Sequence, residues 1–278
     1  MSQRLANQPL QSAQQLWAQL VIQAEEPLLL LLDYDGTLVP IQDKPDLARP
    51  SAPLYESLIT LSKQQNLIIA IVSGRDIREL KSFLAIEGIY YVGGHGAEME
   101  DLHGNRYNFV NQRIEWIESL AEIACQCIGS HEGFLLERKK TSFAFHYRLA
   151  CPSIASVVLE QYRKKIQRIL EIEKLEMVEG KKVIEVRPAY INKGTAVLQL
   201  MDRYSQHRPL YMGDDKTDED AFKAIAGYGF TSSTVLISEN PKPSYAFYRM
   251  RNSQEVVQFL QILSMRCSDG SIQSAVPP

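Results

Sequence analysis

Five consecutive leucines, Leu28 to Leu32, run straight into Asp33-Tyr34-Asp35-Gly36-Thr37-Leu38. The run is far too short to cross a bilayer, which needs about 20 apolar residues. A short unbroken apolar run that stops at Gly reads as a strand buried on both faces of a parallel sheet. In open α/β sheets ligands gather just beyond the carboxyl ends of the strands. Asp33 and Asp35 stand at that place, two residues apart, and can turn toward one point. Neighbouring buried carboxylates call for a cation or a shared proton. The plainer reading is a strand followed by a turn, where Asp and Gly are ordinary turn residues.

The chain has 278 residues, enough for one or two domains, and 45% of them are hydrophobic, so a full core is expected. A net charge of -3 gives no basic excess, which argues against nucleic acid as a partner. No apolar run reaches membrane length. Met1 to Leu5 begin without the apolar core of a signal peptide, so a cytoplasmic protein is expected. Cys125-x-Cys127 lacks the CxxC spacing of zinc and redox sites, and the four cysteines read as small buried residues.

A helix over 12–24, with Leu16, Trp17 and Ala24 on its apolar face, leads into the leucine strand. Leu54, Leu58 and Leu61 mark a second helix, and Leu67 to Val72 a second strand, which stops at Ser73-Gly74-Arg75. Asp76 caps a helix carrying Ile77, Leu80 and Leu84. Ile89 to Val92 form a third strand, ending in Gly93-Gly94-His95-Gly96. After about residue 103 this β-α rhythm of a parallel sheet breaks. A helix over 111–128 (Ile114, Ile117, Ala121, Ala124, Ile128) precedes a hairpin of Phe134–Arg138 with Ser142–Arg148. A second helix from Pro152 precedes a second hairpin, Leu175–Val178 with Lys182–Arg187. That pattern predicts an antiparallel sheet covered on one face by two helices. The β-α rhythm resumes with a helix over 192–204, a strand at Leu210–Met212 and an acidic helix start capped by Thr217. A last core strand at Val235–Ile237 and a closing helix capped by Ser253 finish the chain, before a frayed tail from Ser268. The expected domains are residues 1–103 with 188–278, and an inserted unit over 104–187. Two linkers make a hinge, and the cleft between the units is the expected ligand site.

Four strand ends carry polar punctuation: Asp33 and Asp35, Ser73, Gly94-His95, and Asp214 with Asp215. Three or more carboxylates there form a hard-oxygen set that suits Mg²⁺. Lys193-Gly194 opens a helix whose N-terminus favours anions. Cation, lysine, hydroxyl and free N–H groups aimed at one place describe a phosphoryl clamp, in which a carboxylate can act as nucleophile. Lys181, Val183, Glu185 and Arg187 alternate onto one face of a strand. That face is either simply solvated or a set of polar groups for sugar hydroxyls.

Asp33-Tyr34-Asp35-Gly36-Thr37-Leu38 closely matches the first motif of the haloacid dehalogenase-like (HAD) phosphatases. Ser73-Gly74-Arg75 resembles their second motif, Lys193 their third, and Gly213-Asp214-Asp215-Lys216-Thr217-Asp218-Glu219-Asp220 their fourth. The form of the fourth is similar to that of the trehalose-6-phosphate phosphatases, as are Gly94-His95-Gly96-Ala97-Glu98, Leu136 to Lys139, His146 to Arg148 and Gly180 to Pro188. The resemblance covers roughly residues 25–262. It implies an α/β fold, a HAD-like Rossmannoid parallel sheet with an inserted α+β cap, and a Mg²⁺-dependent phosphoric monoester hydrolase acting on trehalose 6-phosphate. Sucrose phosphate or glucosylglycerol phosphate is the alternative substrate, and a non-catalytic sugar-phosphate sensor the alternative class. By resemblance, Asp33 is the nucleophile and Asp35 the acid/base. Ser73, Gly74 and Lys193 grip the phosphate. Asp33, the backbone carbonyl of Asp35, and Asp214 hold Mg²⁺, and Asp215 or Asp218 orients its waters. Lys181 and Glu185 bind sugar, with His95, Glu98 and Arg138 as further candidates and Lys139, His146 and Arg148 behind them. Glu219 and Asp220 read as ordinary acidic first-turn residues. The only partner implied is the small sugar phosphate, and a monomer is the working expectation.

Overall fold

The computed structural model describes residues 7–21, 27–42, 44–109, 115–139, 141–180, 182–230 and 233–268. Ala24, Ile114, Lys181 and the tail beyond Ser268, all given roles by the sequence, lie outside them. The chain forms two compact units, Met1–Phe109 with Asn192–Pro278, and Val110–Ile191. No described helix is long and apolar enough to cross a membrane.

The first unit opens with helix α1 (Ala13–Val21) and strand β1 (Leu28–Leu32). A loop containing a 3-10 turn (Pro45–Leu47) leads to α2 (Ala52–Ser62), β2 (Leu67–Val72) and α3 (Ile77–Phe83). As expected, Asp76 caps α3, accepting a hydrogen bond from the Glu79 amide at 2.7 Å. Then follow β3 (Tyr90–Gly93), a 3-10 turn over Gly94–Gly96, β4 (Glu98–Glu100) and β5 (Arg106–Asn108).

β4 and β5 were not legible in the sequence. They are three residues each, and β5 is exposed throughout. What makes the hairpin is a local polar turn: the Asp101 carboxylate accepts the amides of His103 and Asn105, both at 2.9 Å. Because β5 pairs with β4, and β4 with β3, the sheet extends past the expected border at residue 103. At the other border, Pro188 ends a strand of the second unit, and residues up to Ile191 stay with that unit.

The second unit comprises α4 (Glu115–Ile128), β6 (Leu135–Arg138), β7 (Phe143–His146), α5 (Pro152–Ile172), β8 (Leu175–Gly180) and β9 (Val183–Pro188). Its sheet is antiparallel, in the order β6-β7-β9-β8. Alternation sends Phe143, Phe145, Ile184 and Val186 to one face, where they pack against Trp116, Leu120, Tyr162 and Ile166 of the two helices. The cysteines correct the sequence reading. Cys127 is buried on that face, but Cys125 lies on the outer side of α4 and Cys151 precedes α5, both exposed.

The first unit resumes with α6 (Lys193–Arg203), β10 (Arg208–Gly213), α7 (Asp218–Gly227), β11 (Thr234–Ile237), β12 (Tyr248–Met250) and α8 (Ser253–Ser268). β11 is therefore not the last strand. β12 adds a further parallel edge, three residues long, with only Tyr248 and Met250 on its apolar face, so no period-2 signal marked it. Asn252, not Ser253, caps α8, accepting from the Glu255 amide at 3.1 Å.

The sheet order is β12-β11-β10-β1-β2-β3-β4-β5, with β1 central and β4 alone running against the other strands, so that the β3–β4 and β4–β5 pairs are antiparallel and the rest parallel. The five-leucine run is explained by that centre. Leu30 and Leu32 face the layer of α1, α2, α3 and α8. Leu29 and Leu31 face α6 and α7. Each is fully buried, and removing such a side chain from water contributes about 1.5–3 kcal/mol.

Candidate active site

Strand register assembles the site. Leu32 stands level with Ile71 of β2 and Met212 of β10. The chain leaves the three strands at one edge, delivering Asp33, Ser73 and Asp214 within a few residues of that line. The Asp33 amide still donates to the Met212 carbonyl at 3.0 Å, so the first carboxylate is fixed by the ladder itself. Gly36 then turns with φ +87°, and a Cβ there would lie 2.3 Å from Asp214 Oδ2. Glycine is required at that position for both reasons.

Lys193 enters from α6, which begins with a capping box between Asn192 and Thr195. Its side chain is 2% exposed, and the ammonium donates to Asp33 Oδ1 at 2.6 Å and to Asp218 Oδ1 at 2.7 Å. Asp218 is fully buried at the start of α7. It also accepts the Tyr211 hydroxyl at 2.6 Å and the amides of Asp214 and Asp215 at 2.9 and 3.0 Å. These contacts use both of its oxygens. Gly213 permits them, since a Cβ there would stand 2.3 Å from the Asp218 carboxyl carbon. The sequence reading of Thr217 as the cap of α7 is corrected. The Thr217 side chain makes no capping bond; Asp215 Oδ1 accepts the Thr217 amide, the Thr217 hydroxyl and the Asp218 amide instead.

One buried lysine among four carboxylates leaves an excess of negative charge. Burial, then Asp218, pushes the Asp33 carboxyl well above its ordinary range, with Lys193 opposing. Burial, followed by Asp218 and Asp215, pushes Asp214 up to about 7. Burial also raises Asp218 against the pull of Lys193. Asp215 goes the other way: burial is outweighed by Lys193 and the hydrogen bond from Thr217, which hold it well below the usual range. Burial works against the Lys193 ammonium too, but Asp218 and Asp33 outweigh it and keep it protonated.

The donor set fits a divalent cation. Asp33, Asp214 and Asp218 offer oxygens within 4.8 Å of one another. Asp33 Oδ2 and Asp214 Oδ1 are buried without a hydrogen-bond partner among the described residues. Buried, unpaired carboxylate oxygens are costly unless a cation meets them. Asp218, already committed to Lys193, Tyr211 and two amides, is placed to hold the lysine and the loop.

The remaining candidates are distributed as follows. The Asp35 carboxylate is held in a fork by Arg75, at 2.6 and 2.7 Å. Ser73 is buried at the end of β2, its hydroxyl accepting the Arg75 amide at 3.2 Å. The His95 ring lies against Gly74, 2.5 Å from where a Cβ would stand. Glu98 accepts the Ile77 amide at 2.8 Å, which ties it to the start of α3. In the second unit, Glu185 Oε1 accepts the Ser142 hydroxyl at 2.5 Å and the Lys139 ammonium at 3.1 Å. Arg138 pairs with Glu118 of α4 at 3.0 Å, and His146 with Glu137 at 2.9 Å. Of the first-turn acids of α7, Glu219 does more than complement the helix dipole: it accepts the Tyr245 amide at 2.9 Å. Three contributors were not singled out from the sequence: Arg75, Tyr211, and Lys242, whose ammonium reaches the Asp214 carbonyl at 2.6 Å. Arg75 had a signal, its place directly after Ser73-Gly74. Tyr211 was hidden inside a strand run, and Lys242 in a proline-flanked loop.

The sequence matches the Trehalose-phosphatase family over residues 31–254. It is 31% identical over 254 residues to probable trehalose-phosphate phosphatase D of Arabidopsis thaliana, covering 85% of this chain and 67% of that protein. The chain thus spans about two thirds of the length of that plant relative. Its fold is similar to that of the C-terminal domain of C. albicans trehalose-6-phosphate phosphatase. The TM-score is 0.77 and the identity 27%, covering 94% of this chain and 99% of that one. A haloacid dehalogenase-like hydrolase from Bacteroides thetaiotaomicron, 16% identical, shares the fold with a TM-score of 0.62 over 85% of this chain and 99% of that one. With the parallel sheet, the inserted α+β unit and the matched motifs together, the chain belongs to the trehalose-phosphatase family.

Proposed function

We propose that this protein hydrolyses trehalose 6-phosphate to trehalose and phosphate, with Mg²⁺ and through a phosphoryl group carried on Asp33. The observation that carries the reading is the state of Asp33. It is buried, one oxygen is held by Lys193, and the other has no hydrogen-bond partner among the described residues. That is a nucleophile with its charge managed from one side only.

The residues divide the work. Asp33 attacks phosphorus, forming an O–P bond while the bond from phosphorus to the sugar oxygen breaks. The electron pair leaves with that oxygen, and Asp35 supplies its proton. Asp35, now a carboxylate, takes a proton from water as the water oxygen bonds to phosphorus. The bond to Asp33 then breaks with its pair returning to the carboxylate, and Asp35 is protonated again. The sum is ester plus water giving alcohol plus phosphate. Lys193 and Ser73 hold the phosphoryl oxygens and offset the repulsion between Asp33 and its target. Asp33, the Asp35 carbonyl and Asp214 would hold Mg²⁺, which supplies neutralisation of the transferring group's charge. Asp215 and Asp218 keep that loop in shape. Lys181 and Glu185 bind sugar hydroxyls.

The test is turnover of a sugar-phosphate panel by purified protein with Mg²⁺. Trehalose 6-phosphate should be strongly preferred, and Asp33→Asn should abolish turnover with folding intact. Preference for sucrose phosphate or glucosylglycerol phosphate would move the substrate. A folded wild-type protein that binds the sugar phosphate and never hydrolyses it would make the chain a sensor.

A further inference from the structure

Arg75 stands out because everything around it serves to fix it. Its Nε donates to Asp35 Oδ2 at 2.6 Å and its Nη2 to Asp35 Oδ1 at 2.7 Å. Its Nη1 is held by Glu79, one turn along α3. The guanidinium carbon lies 5.7 Å from the Tyr34 ring centre and 5.2 Å from that of Phe83, two rings that stack on each other. The Tyr34 hydroxyl is itself anchored on the Ala48 carbonyl at 2.7 Å. The Arg75 amide donates to the Ser73 hydroxyl, and its carbonyl accepts the Gly94 amide at 2.8 Å. The side chain is 10% exposed, against 37% for Asp35.

The contrast between those two exposures matters. Asp35 sits in a turn after β1, with its side chain partly exposed. Arg75 is locked, and its planar fork matches a carboxylate in two bonds. A second reading is that Arg75 is a phosphate ligand. Its fork, however, is turned onto Asp35 and its other amino group onto Glu79, so two carboxylates already meet its single charge.

We propose that Arg75 is the positioning residue for the Asp35 carboxyl group, fixing the group that gives a proton to the leaving oxygen in the first half-reaction and takes one from water in the second. This rests on the reading of Asp35 as the acid/base. Misplacing a reacting group by about 1 Å can cost about 100-fold in rate. The substrate itself need not bind more weakly.

The experiment compares Arg75→Gln, Arg75→Lys and Asp35→Asn with the wild type, on trehalose 6-phosphate and on p-nitrophenyl phosphate. The nitrophenolate leaves without a proton, whereas the sugar alkoxide does not. Arg75→Gln should lower kcat on trehalose 6-phosphate by about 100-fold with little change in KM. On p-nitrophenyl phosphate it should release one rapid equivalent of nitrophenolate per enzyme, then turn over slowly, because only the water step still needs Asp35. Arg75→Lys keeps the charge without the fork and should show the same pattern in weaker form. It also carries the test if Arg75→Gln fails to fold. Wild-type kinetics in both Arg75 variants would overturn the proposal. So would equal losses on both substrates carried in KM, which would make Arg75 a phosphate ligand. If Asp35→Asn keeps wild-type turnover, the reading of Asp35 fails, whatever the Arg75 variants do.

Discussion

The Lys193 ammonium lies 2.6 Å from Asp33 Oδ1, a buried pair joining residues 160 apart in sequence. It ties the start of α6 to the end of β1 and leaves Asp33 one buried oxygen without a hydrogen-bond partner among the described residues. Lys193→Met keeps most of the volume and removes the charge. Asp33 and Asp218 are then buried with no cation, a loss of about 3–5 kcal/mol when one partner of such a pair is removed. Chemical denaturation should show that loss at neutral pH and a smaller one in mild acid, where both carboxylates protonate. Turnover should fall by at least about 100-fold. A variant as stable as wild type at neutral pH would mean that Lys193 is not what balances these carboxylates.

Tyr211 supports the same lysine at one remove. Its hydroxyl donates to Asp218 Oδ1 at 2.6 Å, and its ring meets Phe222 edge-on at 5.6 Å. Tyr211→Phe keeps the ring and deletes one hydrogen bond to a buried carboxylate, a loss of about 1.5–3 kcal/mol. Unfolding in urea should move to lower midpoint with an unchanged slope. Activity should fall far less than in Lys193→Met, because Lys193 and two amides still hold Asp218. An unchanged midpoint would show that water replaces the hydroxyl at no cost.

The sheet centre and the site were legible for the same physical reason. β1 is buried on both faces, so it reads as an unbroken apolar run, and its edge is where Asp33 must emerge. Asp214 and Lys193 were found likewise, each at the boundary of a strongly periodic element. β4, β5 and β12 were missed because three residues cannot display a period, and β5, exposed throughout, is a strand through its pairing with β4 alone. The cap of α7 was misassigned to Thr217 because Asp215, two residues earlier, takes the bonds by folding back. Sequence spacing shows which residues are near a helix start, but not which of two polar side chains reaches the amides. Arg75 stood in plain view directly after Ser73-Gly74, but its partner Asp35 is 40 residues away, so spacing did not show what it holds.

The carboxylate cluster sets a pH dependence whose sign can be worked out. Asp214 is raised from 3.8 to about 7, by burial first and then by Asp218 and Asp215. Asp33 and Asp218 are raised as well. Above its ordinary value the unfolded chain has released a proton that the native protein keeps. Native therefore binds more protons than unfolded, and stability falls as pH rises between 3.8 and about 7 for Asp214, then levels off. Asp215 is lowered and acts oppositely, losing its contribution only in stronger acid. A divalent cation competes with those protons. The rise in melting temperature on adding Mg²⁺ to chelator-treated protein should be larger at about pH 8 than at about pH 5. A larger rise at the acidic pH, or none at either, would contradict a cation held by Asp33 and Asp214.

Glu185 offers a test of substrate choice separate from the chemistry. It lies on β9 between Ile184 and Val186, which point into the core of the second unit, so its own side chain is on the opposite face. Ser142 and Lys139 both donate to its Oε1. Such a carboxylate, oriented by neighbours, suits a pair of sugar hydroxyls better than a freely rotating one. A charge-assisted hydrogen bond to a sugar hydroxyl contributes about 1.5–3 kcal/mol, or roughly 10- to 150-fold in kcat/KM. Glu185→Ala should therefore lower kcat/KM for trehalose 6-phosphate within that range. It should leave p-nitrophenyl phosphate, which has no sugar, close to wild type. Ser142→Ala removes only an orienting bond and should give a smaller loss of the same selectivity. Equal losses on both substrates would place Glu185 in the stability of its sheet, and the two-substrate ratio separates the cases without reference to absolute rates.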